Sequence, residues 1–198
     1  MMPDEFNSFV EPVKVRMGQP APVLPGDFGV IDKDVSTTMW FDPGVAVGWC
    51  VISVWSIALT DIRFRLLSNL VAWSAGEYRG TEEHVVDQMF DLVEAWEGNL
   101  GSVGLEDFIL RQFSMGRELL APVRVTARFE DRMYVAKKSG LLVPKQQPSL
   151  AMSMVTDERL KLWQLYNYTT GKPHARDALR HGLTYLRRMK TVGTSDAG

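Results

Sequence analysis

Residues 41–49 read Phe41-Asp42-Pro43-Gly44-Val45-Ala46-Val47-Gly48-Trp49. A short apolar run, Thr38-Met39-Trp40-Phe41, leads into this stretch. Residues 45–56, rich in β-branched and aromatic side chains, lead out of it. Such runs on either side of Pro-Gly predict two strands joined by a tight turn. Asp42 then stands at the tip of a buried strand, beside a sharply turning backbone. A carboxylate there can face a cleft and hold a cation. It can equally hydrogen-bond its own turn, as Asp often does.

Working outward, residues 64–74 alternate in part and predict a third strand. Thr81 reads as a helix N-cap, with Glu82 and Glu83 in the first turn and His84 at N3. Val85, Val86, Met89, Leu92, Val93 and Trp96 repeat at helical spacing, and Gly98 marks the stop. Residues 103–110 predict a short apolar fourth strand of the kind buried in parallel sheets. A second helix is expected over 121–139, with Pro122 in its first turn and Gly140 past its end. Residues 141–143 predict a fifth strand, ended by Pro144. One or two short helices fall within 147–165, the second starting at Thr156-Asp157-Glu158. Residues 167–173 form a loop and 174–189 a last helix.

Strands joined by tight turns run antiparallel, and strands separated by helices run parallel. The expected architecture is α/β: a mixed five-stranded sheet, three antiparallel strands followed by parallel ones, with helices on both faces. The domain spans 37–190. Residues 1–36, with five prolines, read as an irregular N-terminal arm, and 191–198 as a frayed tail.

A chain of 198 residues with 45% hydrophobic and 23% charged side chains suits one ordinary globular domain. The single cysteine, Cys50, excludes an internal disulfide framework and fits a reducing cytoplasm. No leader-like pattern opens the chain, and its longest apolar run is too short to span a bilayer. A cytoplasmic protein with no membrane partner is expected. The net charge of −2 conceals a split: residues 1–115 carry 7 basic and 17 acidic side chains, residues 116–190 carry 15 and 6. A basic second half is a cue for a polyanion surface, though solvated helices give the same bias.

Two further acidic positions stand out. Glu106 and Asp107 close the predicted fourth strand. Adjacent strand residues face opposite sides, so only one of them can enter a given cleft. In His174-Ala175-Arg176-Asp177-Ala178-Leu179-Arg180-His181, His174 and Asp177 share a helical face in a first turn that favours carboxylates. Hard divalent cations bind through carboxylate oxygens, and paired ions drive phosphodiester hydrolysis. Each position alone is more often a turn, a strand end or a cap.

Taken together, Asp-Pro-Gly followed by Gly-Trp, a Glu at the fourth strand's end and His-x-x-Asp-Ala-Leu resemble the RuvC-like Holliday junction resolvases, in the version carried by bacteriophages. The resemblance covers roughly residues 37–190. It implies an RNase H-like fold, and a homodimer that cleaves four-way and other branched DNA by paired nicks. It also implies Mg²⁺ or Mn²⁺, two ions per site, held by Asp42, Glu106, His174 and Asp177. Histidine at the first position of the last motif is a variant within that family, and it can bind a metal or handle the attacking water's proton. His181, one turn beyond Asp177, reads as a supporting or structural residue. The family dimerises through the second helix, which makes Val125, Phe129 and Met133 the expected seam, flanked by Arg124, Arg128 and Arg132. Lys145, Lys161, Lys172, Arg176 and Arg180 are the expected phosphate contacts. Phe113 is a candidate wedge between bases, whereas Phe108 reads as core. Relatives often carry a lysine near position 152, where this chain has Met152, and Lys145 is the substitute.

Other classes stay open. A ribonuclease H or a terminase-type nuclease shares the fold. A catalytically idle DNA-architecture protein would keep the fold without the chemistry. Sugar kinases and Hsp70-like ATPases begin with a similar strand–turn–strand, but they need two such lobes and about twice this length.

Overall fold

The computed structural model describes residues 35–55, 70–98, 100–108 and 120–192. Its elements are β1 (Val35–Asp42), β2 (Ala46–Trp55), β3 (Leu70–Arg79), α1 (Glu82–Ala95), β4 (Leu100–Leu105), α2 (Ala121–Val135), α3 (Pro148–Met154), α4 (Asp157–Leu162) and α5 (Pro173–Val192). The sheet runs β3-β2-β1-β4. The β1/β2 and β2/β3 pairs are antiparallel and β1/β4 is parallel.

Among the described residues the sheet has four strands where the sequence predicted five. Residues 139–141 form a 3-10 turn. The chain then touches β4 through two isolated parallel bridges, Val103 with Leu142 and Glu106 with Gln146. Three steps on β4, Val103 to Glu106, match four on the partner segment, Leu142 to Gln146, so the ladder slips by one residue between the bridges. The third strand also runs further than predicted, to Arg79. It runs through Gly76 and Glu77, weak strand formers, because the Trp49 indole covers Gly76. A Cβ added there would lie 2.6 Å from the indole. Of the predicted 64–74 strand, residues 64–69 lie outside the described residues, as do 109 and 110 of the fourth strand, Phe113, residues 1–34 of the arm and 193–198 of the tail.

Alternation along the strands divides the core in two. Met39, Phe41, Val47, Trp49, Val51, Val103 and Leu105 face α1 and α2. Trp40, Cys50, Ile52, Val54 and Ala75 face α3, α4 and α5. The helix caps fall where the sequence placed them: Thr81 accepts the His84 N–H, and Thr156 accepts the Arg159 N–H. The second helix ends earlier than expected, at Val135, and the chain leaves it through Lys137 in the left-handed region at φ 58°.

Val125, Phe129 and Met133 correct the expected dimer seam. All three are fully buried in this chain's own core, with Phe129 edge-on to Phe41 at 5.3 Å. Each such burial is worth about 1.5–3 kcal/mol to the fold. The i, i+4, i+8 row that suggested a partner helix belongs to the sheet. Arg124 and Arg132 pair with Glu82 and Asp87 of α1, so they fasten α2 to α1. The outward side of α2 carries Val123, Tyr134 and Val135, all exposed.

Candidate functional site

Asp42 is two residues from Trp40 and so faces α5, as does Glu106, two residues from Gly104, whose Cα lies under the Trp40 indole. The parallel β1/β4 register sets Phe41 beside Leu105, and the Glu106 N–H donates to the Phe41 carbonyl at 2.9 Å. Register thus puts Asp42 and Glu106 on neighbouring strand tips. It also resolves the Glu106/Asp107 ambiguity: Glu106 points into the α5 side. On the other flank, Asp42 pairs with Gly48, and Gly48 with Glu77. A row Glu106, Asp42, Gly48, Glu77 therefore crosses the sheet at one level.

Gly48 is the gap through which α5 arrives. A Cβ there would sit 2.0 Å from the His174 carbonyl oxygen. The Glu77 carboxylate accepts the His174 N–H at 3.1 Å, satisfying a helix-start donor from a neighbouring strand. Glu77 is nearly buried and was not singled out in the sequence. The signal that could have found it is its place opposite the Gly48 of the Gly-Trp pair, which needs the β2/β3 register.

Asp42, Glu106 and Asp177 each meet a basic group of α5. His174 Nδ1 lies 2.9 Å from Asp42 Oδ2. His181 Nε2 lies 2.8 Å from Glu106 Oε2. Arg180 bridges Asp177 and Asp157, the latter in the first turn of α4. Burial pushes the Asp42 carboxyl up to about 6, and the charges of Glu106 and Asp177 push the same way against the His174 hydrogen bond. Asp42 is thus within electrostatic reach of both other carboxylates. The hydrogen bond to Asp42 raises the His174 imidazole above its ordinary value.

The donor chemistry, carboxylate oxygens with an imidazole nitrogen, suits a hard divalent cation. Among the described residues, however, no three Asp, Glu, His or Cys side chains stand together as a ready-made ion site. The acids are engaged instead with His174, His181 and Arg180.

The expected DNA contacts divide. Lys161 is exposed and lies over the Tyr166 ring, and Lys172 is half-buried just before α5. Lys145 pairs with Glu130 at 3.0 Å. Arg176 clasps the loop before α5 through Thr169 and Tyr166. Arg180 is a correction: it is 9% exposed and held by two carboxylates, so it offers no phosphate contact in this arrangement. Phe108, expected in the core, is 36% exposed.

The fold is similar to that of T. thermophilus RuvC in complex with Holliday junction substrate. The TM-score is 0.53 at 13% identity, covering 80% of this chain and 97% of that one. A second Thermus thermophilus RuvC structure aligns over 77% of this chain and 96% of its own, at 16% identity and TM-score 0.48. No protein-family model and no curated protein matches the sequence. At such identities the likeness is one of fold: this is a RuvC-like arrangement of sheet and helices. No helix among the described residues is long and apolar enough to cross a membrane.

Proposed function

We propose that this chain is a divalent-metal-dependent, structure-selective endonuclease that cuts four-way junctions and other branched DNA by paired nicks. The observation that carries the reading is the meeting of Asp42, Glu106 and the first turns of α5 at one sheet edge, in a fold like that of a RuvC solved with a Holliday junction substrate. Asp42, Glu106 and Asp177, with His174, are the residues that would hold Mg²⁺ or Mn²⁺, two ions per site. Bound there, the ions supply a water of lowered pKa and offset charge at the leaving oxygen. Asp42 contributes a buried charge. His174, whose side chain is 42% exposed, stands on the open side of Asp42, where it can hold or pass a proton. Lys161 lies over Tyr166, a ring that Arg176 of α5 also covers, and Lys172 directly precedes α5; both fit phosphate contacts.

A four-way junction has near two-fold symmetry, so paired nicks ask for two sites in a symmetric dimer. The outward face of α2, with Val123, Tyr134 and Val135, is the seam in this proposal. One observation favours a second reading, an idle DNA-architecture protein: every acid of the site is already matched by a histidine or arginine of the same chain.

The test is incubation of the purified protein with four-way, three-way, flap and linear DNAs and an RNA–DNA hybrid, with and without Mg²⁺ or Mn²⁺. Ion-dependent nicks in the branched substrates are expected. Preference for the hybrid would move the protein to the ribonuclease H class. Tight junction binding with no cleavage under either ion would establish the idle reading.

A further inference from the structure

We propose that His181 is a positioning residue for Glu106, locked by Gln146 and the Trp40 indole, and that it fixes which oxygen of Glu106 is left to face the cleft. The inference deepens the proposed function, since it takes Glu106 as a ligand.

His181 is 1% exposed, and both ring nitrogens have partners. Nε2 lies 2.8 Å from Glu106 Oε2, and Nδ1 lies 3.4 Å from Gln146 Oε1. An ionised carboxylate only accepts, so Nε2 carries the proton and donates to Glu106. The Gln146 amide can serve Nδ1 with its oxygen or, turned over, with its N–H₂. The imidazole stacks on Trp40 at 5.8 Å and 11°. Its neighbour Gly182 lets α5 seat on β2: a Cβ there would lie 2.7 Å from Ile52 Cδ1 and 3.1 Å from Cys50 Sγ. The helix therefore cannot roll, and the ring cannot leave its stack without opening the core.

Gln146 closes the circuit. Its N–H donates to the Leu105 carbonyl at 3.1 Å, and its carbonyl accepts the Asp107 N–H at 2.7 Å. Backbone bonds thus bracket Glu106 on both sides, while the side chain of the same Gln146 reaches the histidine that holds Glu106's carboxylate. The second bridge of the broken fifth strand thus sets Gln146 beside Glu106. A carboxylate with one oxygen fixed by a buried donor presents the other in a single direction. Partners of that kind are worth roughly 10–100-fold in metal affinity where they have been removed.

A histidine that merely fills the core would affect melting and leave ion binding alone, so the test separates the two. Mn²⁺ affinity by titration calorimetry, junction nicking and melting temperature are measured together. His181→Phe keeps a ring on Trp40 but removes the donor. It should weaken Mn²⁺ binding about 10–100-fold and lower nicking in step. His181→Gln, which restores a donor, should recover part of both. Gln146→Leu should give a smaller loss in the same direction. Wild-type Mn²⁺ affinity and nicking in His181→Phe would overturn the inference. Nitrogen-15 NMR of the wild type serves where variants do not fold. His181 should show an Nε2-bound proton protected from exchange, which shifts in Glu106→Gln. A fast-exchanging ring indifferent to that substitution overturns the inference. A protected proton in a protein that binds no Mn²⁺ and cuts no DNA retires the proposed function while upholding the hold on Glu106.

Discussion

The two faces of the sheet are built from alternate residues of the same strands, yet they end differently. The face under α1 and α2 is apolar apart from uncharged buried hydroxyls such as the Thr37–Ser53 pair at 2.9 Å, and its helices are pinned at the rim by Arg124–Glu82 and Arg132–Asp87. The face under α5 is apolar in the middle and polar at one end. There Asp42, Glu106, Gln146, Arg180 and His181 are buried or nearly so, each with a partner. Buried polar groups are costly unless matched. The first face can therefore be read as stability alone. The second gives up apolar contact to hold charge where the strand tips meet a helix start.

Phe129→Glu should break this contrast hardest. It puts a carboxylate into the fully buried first face, at a cost on the order of several kcal/mol, and should leave no cooperative melt in calorimetry. Tyr134→Glu, on the outer side of the same helix, should melt like the wild type and shift the species seen by light scattering from dimer to monomer. A folded Phe129→Glu protein would mean that α2 does not belong to the core.

On the second face, Asp42→Asn, Glu106→Gln and Asp177→Asn change charge and hardly change volume. Each should lower nicking by on the order of 10³-fold or more, while the variants still fold and bind junctions. Near-normal cleavage by any one of them removes that residue from the ligand set.

Gly48→Ala probes the junction between the faces' end and α5. The added methyl meets backbone, not a flexible side chain. A loss of about 1–3 kcal/mol in urea unfolding is expected, with nicking reduced further than stability alone accounts for. Gly140→Ala, where nothing lies within 4 Å, is the control and should be silent.

The pH dependence is smaller. The folded-state value of Asp42 is raised to about 6 by burial, and His174 is raised by its bond to Asp42. A raised value means the folded state holds protons more tightly. The stability from this pair is complete below the unfolded carboxyl value, near pH 4, and is lost as pH rises through 6 and beyond. Metal-free protein in chelator should thus unfold more easily at pH 8 than at pH 5, by on the order of 1–3 kcal/mol from Asp42, the exposed His174 adding little because solvent screens it. Asp42→Asn should flatten the slope, and an unchanged slope would show that the pair does not set it.

The mildest change is His174→Asp, which should keep partial nicking, since the resemblance implies that Asp is accepted there; His174→Ala should lose much more. An alanine variant that cuts like the parent would reduce His174 to a helix-start residue.

Local signals in the sequence carried the helices well. Thr81 and Thr156 caps, the apolar period of α1 and the Asp-Pro-Gly turn all depend on neighbours a few residues apart, and each appears as read. The Asp42, Glu106 and His174–Asp177 positions were legible because each sits at an element's end, where spacing and turn chemistry are local. The amphipathic row of α2 was legible as a row, but its destination was not. A 3.6-residue period shows that a face is buried and is silent on whether sheet or partner buries it.

The sequence by itself thus determined the alternation that sorts residues between two faces, the helix starts and the identity of the acids. Only the tertiary structure decided which groups meet them. Strand register set Glu77 opposite Gly48. A one-residue slip in register broke the fifth strand yet left Gln146 bonded around Glu106. The seating of α5 on Gly48 and Gly182 turned His181 and Arg180 inward. These pairings join residues far apart in the chain, and their energies depend on burial and distance, which no local pattern encodes.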